Sequence, residues 1–156
     1  MKTNAVRLLD RAGITYDLRQ YAIDEEDQIA EHAAAALGMP IETIFKTLIV
    51  AGDTTGHLFA LIPAGMSLDP RLLAIASGNK RIEMAPQREL LALTGYLRGA
   101  VTALAAKKPF PVFIDETAEL WPQIGVSGGA HGLEIILAPL DFVRVTNATL
   151  ADIARG

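Results

Sequence analysis

The stretch Ile44-Phe45-Lys46-Thr47-Leu48-Ile49-Val50 decides how the chain is read. It has the character of a strand that is apolar on both faces, hence central and buried. Strand alternation puts Ile44, Lys46, Leu48 and Val50 on one face and Phe45, Thr47 and Ile49 on the other. Lys46 therefore points where aliphatic side chains point. An unpaired buried ammonium is costly or loses its proton, so this lysine needs a partner or a pocket. The plainer alternative is a lysine near the strand's start that reaches water along its own stem. Spacing alone leaves both open.

Working outward, the 156 residues suit one domain, with 51% hydrophobic and 21% charged residues, the balance of a globular protein. No apolar run approaches a membrane span. The opening Met1-Lys2-Thr3-Asn4 has no signal-peptide hydrophobic region, so a cytoplasmic protein is expected. The absence of cysteine excludes disulfides, thiolate metal sites and a cysteine nucleophile. His32, His57 and His131 form no local metal motif, and no glycine-rich phosphate loop of the P-loop or dinucleotide type occurs.

The net charge of −4 argues against nucleic acid, but its distribution is uneven. Asp24, Glu25, Glu26, Asp27 and Glu31 form an early acidic block. Arg71, Lys80, Arg81, Arg88, Arg98, Lys107 and Lys108 crowd the middle. Such a surface can meet phosphates despite an acidic total, or it can be an ordinary solvated face.

In chain order, Thr3 caps a first helix stopped by Gly13, and Ile14 to Tyr21 reads as a strand. Asp27 to Leu37 reads as a helix ended by Gly38. A turn at Gly52–Gly56 joins the Lys46 strand to a hairpin partner, His57 to Pro63. Asp69 and Pro70 open a helix that Gly78 stops. A short strand at Lys80 to Met84, a helix from Pro86 and a small-residue segment at Arg98 to Ala103 follow. Pro111 to Asp115 reads as a strand, followed by a helical turn at Thr117 to Leu120. Ile124 to Val126 enters a loop containing Gly128, Gly129 and Gly132, and Leu133 to Leu137 leaves it as a strand. Asp141 to Val145 reads as a last strand, and Asn147 or Thr149 as the cap of a terminal helix. Helices interspersed with hairpin-linked strands imply an α+β fold with a mixed, strongly curved, barrel-like sheet and flanking helices.

These landmarks together resemble one family over essentially the full length: the YbaK/EbsC aminoacyl-tRNA deacylases, related to the editing domain of bacterial prolyl-tRNA synthetases. The resemblance is carried by Ala5-Val6-Arg7-Leu8-Leu9, Phe45-Lys46-Thr47-Leu48-Ile49-Val50, Glu83-Met84-Ala85 and Thr94-Gly95-Tyr96-Leu97. It continues through Val126-Ser127-Gly128-Gly129, Gly132-Leu133-Glu134-Ile135 and Ala151-Asp152-Ile153-Ala154-Arg155. It implies a YbaK-type barrel-like fold and a single editing domain over 1–156. The implied reaction is hydrolysis of mischarged aminoacyl-tRNA, with cysteine on proline tRNA as the substrate and no metal or cofactor.

By this resemblance Lys46 is the catalytic residue. Tyr21, Thr47, Gly99, Ser127, Gly128, Gly129 and Glu134 form the substrate pocket. Glu134 stands where the family usually has Asp, and Ala103 stands where a Gly-x-x-x-Pro element from Gly99 would end in proline. Both departures bear on amino-acid selectivity. The sequence has no Gly-x-Ser-x-Gly elbow. In the cysteine-specific members the substrate's own thiol attacks the ester, which is catalysis by proximity. His131 reads as a general base, a selectivity residue, a tRNA contact or a plain exposed side chain. A deacylase for alanine or another small amino acid is the nearest alternative. A tRNA-end or synthetase-binding module without chemistry is the alternative from another class. The implied partners are the acceptor end of aminoacylated tRNA and prolyl-tRNA synthetase, with no membrane.

Overall fold

In a computed structural model the chain adopts a mixed α+β fold, described for residues 2–22 and 29–156. The acidic residues 24–27 and the expected start of the second helix lie outside the described residues. Helix α1 (Asn4–Arg11) is capped by the Thr3 hydroxyl, which accepts from the Val6 N–H at 3.2 Å. Strand β1 (Tyr16–Gln20) and helix α2 (Ile29–Leu37) follow. The hairpin β2 (Phe45–Gly52) and β3 (Gly56–Pro63) forms with the expected turn.

After the two-residue strand β4 (Ser67–Leu68), α3 (Pro70–Ser77) starts at the Asp69 cap and stops at Gly78, whose φ is 78°. Strand β5 (Ile82–Met84), helix α4 (Leu90–Thr94) and strand β6 (Val112–Asp115) lead to β7 (Ile124–Ser127) and β8 (Leu133–Leu137).

Two expectations fail beyond this point. Residues 141–145 belong to helix α5 (Pro139–Thr146), not to a strand. Pro139 at the first helical position begins the helix, and burial of Phe142 holds it, overriding the strand preference of Val143 and Val145. The terminal helix is absent as well. Asn147, in the left-handed conformation at φ 56°, ends α5 instead of starting a helix. Strands β9 (Thr149–Ala151) and β10 (Ala154–Arg155) take its place, pairing with β6 and β4.

The largest sheet has the order β5-β2-β3-β6-β9, and the second has the order β1-β8-β7. The fully buried central strand is β3, with Leu58 to Ile62 at most 1% exposed, and not the Lys46 strand. The reason lies in β2's outer edge. Strand β5 pairs only with Val50–Gly52, so the first half of β2 lacks that neighbour and approaches β7 through a single parallel bridge, Ile44–Gly125. In place of one barrel-like ladder, the described strands form separate sheets that meet along this seam.

Alternation sorts the side chains about the seam. Phe45 and Ile49 of β2 join Val126 and Ile135 in the main core, with Leu9, Phe59 and Phe142. Leu48 and Val50 pack on the opposite face with Leu58, Ile62 and Leu73. Helix α2 covers the Ile44 end of that second face through Ala30 and Ala34.

Candidate active site at the seam of two sheets

Lys46 lies two residues beyond the Ile44–Gly125 bridge, on the face away from the main core. The parallel register sets Ser127 of β7 alongside it, and Ser127 pairs across the β7–β8 ladder with Glu134. Glu134 in turn pairs with Arg19 of β1. Direct cross-strand partners share a sheet face, so Ser127, Glu134 and Arg19 line one strip, and Lys46 shares the face of Ile44, whose side chain borders Gly125 on that same side as the Glu134 carboxyl. Tyr21 extends the strip at the end of β1, where its N–H donates to the Gly132 carbonyl at 2.9 Å.

Lys46 is neither buried and bare nor freely solvated. Its ammonium lies 3.7 Å from a Glu31 carboxylate oxygen of α2, with the two side chains 29% and 28% exposed. The same helix sets the His32 ring 5.9 Å from Tyr21, while His32 Nε2 lies 2.6 Å from the Ala22 carbonyl oxygen. Glu31 and His32 are thus site neighbours that single-residue motifs did not reveal. Glu31 belonged to a charge block, and His32 to an alanine-rich helix.

Glu134 is only 4% exposed and has no hydrogen-bond or ion-pair partner among the described residues. Burial raises its carboxyl from an ordinary 4.5 to about 8. Tyr21 is pushed up to about 12, first by burial and then by the nearby Glu134 charge. At neutral pH the strip therefore carries a largely protonated acid and a neutral phenol beside the Lys46 and Arg19 cations.

The glycine loop is more closed than its composition suggested. The Gly128 N–H donates to the Leu133 carbonyl at 2.9 Å, and the Gly129 N–H to Ser127 Oγ at 3.3 Å. Thr3 Oγ1 donates to the Gly128 carbonyl at 2.6 Å, tying the cap of α1 to the loop. A Cβ on Gly129, whose φ is 90°, would lie 2.9 Å from the Tyr96 ring, so this position requires glycine on both counts.

Tyr96 also braces the segment after Gly99, donating to the Leu104 carbonyl at 2.6 Å, and the buried Thr102 hydroxyl accepts from the Leu104 N–H at 3.2 Å. These bonds hold the loop on either side of Ala103. His131 Nε2 lies 2.6 Å from the Arg98 carbonyl oxygen, linking that loop to the β7–β8 hairpin.

The structure therefore gathers Lys46, Ser127, Glu134 and Tyr21 on one strip and ties the Gly99 and Gly128–Gly129 segments to its hairpin end. The side chain of Thr47 is not on this strip. It faces the main core, and its buried Oγ1 has no hydrogen-bond partner among the described residues. Among the described residues, no group of three His, Asp or Glu side chains is placed to hold a metal, and no helix is long and apolar enough to cross a membrane.

The aminoacyl-tRNA editing domain family matches residues 25–145, and the chain belongs to that family. A relative from Enterococcus faecalis, provisionally named Cys-tRNA(Pro)/Cys-tRNA(Cys) deacylase EbsC, is 40% identical over 97% of this chain and 93% of its own. A crystal structure described as a candidate trans-editing enzyme for prolyl tRNA synthetase shares the fold, with a TM-score of 0.86 at 24% identity over 100% of this chain and 99% of that one. The crystal structure of the hypothetical protein APE2540 superposes with a TM-score of 0.85 at 25% identity, over 98% of this chain and 100% of that one.

Proposed function

We propose that this protein is a trans-editing hydrolase that cleaves the ester of mischarged aminoacyl-tRNA, with cysteine carried on proline tRNA as its substrate. The observation that carries the reading is the placement of one cation, Lys46, on the same strip as a buried carboxyl group and the Ser127 loop. Membership of an editing-domain family and the name of the Enterococcus relative supply the reaction class.

In this reading the substrate's thiol sulfur attacks its own ester carbonyl carbon. A carbon–sulfur bond forms, the carbon–oxygen bond to the terminal ribose breaks, and the ribose oxygen takes up a proton. Water then opens the cyclic thioester and releases cysteine. Lys46 offsets negative charge developing on the ester oxygens. Tyr21 and the Gly99 and Ser127–Gly129 segments shape and orient the bound end, the proximity contribution. Glu134, protonated when the site is empty, ionises as the substrate ammonium approaches and pairs with it. Thr47 contributes through its backbone.

The chain acts as one editing domain in the cytoplasm, without a cofactor or metal. Arg71, Lys80, Arg81, Arg88, Arg98, Lys107 and Lys108 are all exposed, which supports a basic surface for tRNA bound together with prolyl-tRNA synthetase.

A deacylation panel of charged tRNAs with wild type and Lys46→Ala tests the proposal. Folded Lys46→Ala with near-normal turnover excludes the lysine's role. Equal turnover of a thiol-blocked cysteinyl ester excludes attack by the substrate sulfur. Preference for alanyl-tRNA selects the small-amino-acid alternative.

A further inference from the structure

Gly125 sits in the middle of β7, where glycine is a poor choice for a strand. Its conformation does not call for glycine, because it is not among the residues with positive φ. What does call for it is the space beside it. A Cβ there would lie 2.6 Å from Ile44 Cδ1, 3.0 Å from Glu134 Oε2 and 3.2 Å from Ile136 Cδ1. Ile44 is the residue bridged to Gly125 across the seam, and Ile136 is its direct partner on β8. The carboxylate of Glu134 therefore lies over the bare backbone of Gly125, one position before Val126 and two before Ser127.

We propose that Gly125 is a positioning residue of the site: its missing side chain leaves the space that seats the Glu134 carboxyl group against β7 on the Lys46 face. The inference deepens the deacylase reading, and its statement about turnover rests on that reading. A glutamate needs more room than a shorter acid would, and a residue without a Cβ directly beneath it provides that room. The depth of the pocket and the position of its acid are then set together by residues 125 and 134.

The three atoms that a new Cβ would meet are far ends of side chains, so Gly125→Ala can fold with those ends displaced. Titration of the Glu134 carboxyl, followed by carbon NMR on glutamate-labelled protein, reads its placement without any substrate. The charged and titratable neighbours on this face among the described residues are Asp17, Arg19 and Tyr21 from β1 and its end, Lys46 from β2, and Glu31 and His32 from α2.

In Gly125→Ala the Glu134 midpoint is expected to move toward the ordinary carboxylate range, and kcat/KM for the aminoacyl ester to fall roughly 10- to 100-fold, the scale of a misplacement of about 1 Å. Gly125→Ala/Ile44→Val removes the aliphatic conflict and restores thermal stability without restoring turnover. Gly125→Ala/Glu134→Asp shortens the acid and recovers part of the rate. An unmoved Glu134 midpoint in the folded double variant with Ile44→Val overturns the placement. A moved midpoint with wild-type kcat/KM overturns its importance for turnover. Wild-type protein without deacylase activity defeats the proposed reaction and leaves the NMR arm to decide the placement.

Discussion

The Lys46 ammonium and the Glu31 carboxylate meet at 3.7 Å across the gap between β2 and α2, so the cation of the site already faces an anion supplied by its own chain. In the proposed reading an incoming phosphate or ester oxygen would compete with that carboxylate. Both side chains are more than a quarter exposed, and a pair of that kind contributes about 0–1 kcal/mol. Glu31→Gln is therefore expected to leave the melting temperature nearly unchanged and to tighten binding of an acceptor-stem RNA a few-fold at low salt. Titrations at two ionic strengths check this. Unchanged affinity at both would show that Glu31 does not compete for the lysine.

The buried Glu134 gives stability a definite pH dependence. Its folded-state value, about 8, lies above the ordinary 4.5. Between these values the unfolded chain releases the proton and the folded chain keeps it, so the folded state binds more protons and this group's contribution to stability falls as pH rises. Below about 4.5 and above about 8 the contribution is flat. Glu134→Gln removes the ionisation. Its melting temperature is expected to exceed that of wild type by a margin that grows from pH 5 to pH 8, as measured by calorimetry. A constant margin would contradict the burial argument.

Asp115 anchors the C-terminal strands and lies outside the proposed chemistry. Its carboxylate is 2% exposed and accepts from the Thr117 hydroxyl at 2.6 Å and from the N–H groups of Ile153 and Ala154 at 3.0 and 3.1 Å. Asp115→Ala leaves these donors unpaired, and a loss of about 3 kcal/mol is expected. Chemical denaturation measures it. Asp115→Asn, which keeps one acceptor oxygen, should lose less.

His131 is placed as a tether between the hairpin and the loop at Arg98. Its Nε2 contacts the Arg98 carbonyl oxygen, and no site side chain among the described residues hydrogen-bonds to it. His131→Ala is expected to keep the wild-type pH–rate profile while speeding amide exchange in residues 98–103. Loss of one limb of the profile would instead make the imidazole a proton carrier.

Much of the architecture was legible because local chemistry and tertiary demand agree there. The Thr3 cap, the Asp69-Pro70 start and the Gly78 stop each satisfy a backbone need at the position where the sequence shows it. Residues 139–155 were misread because β-branched residues suit a strand locally, while burial of Phe142 and pairing with β6 are decided by distant partners. Period-two alternation correctly separated Lys46 from Phe45. It could not show that β2 loses its neighbour halfway along, which is what opens the site. Glu31 and Gly125 were illegible for the same reason: each matters only through a residue far away in the chain.

The bond from Thr3 to the Gly128 carbonyl spans 125 positions. A ribosome makes the Thr3 cap 125 residues before the turn that it fastens. A truncated or stalled product lacking the turn would have its lysine strand but no latch for the hairpin beside it.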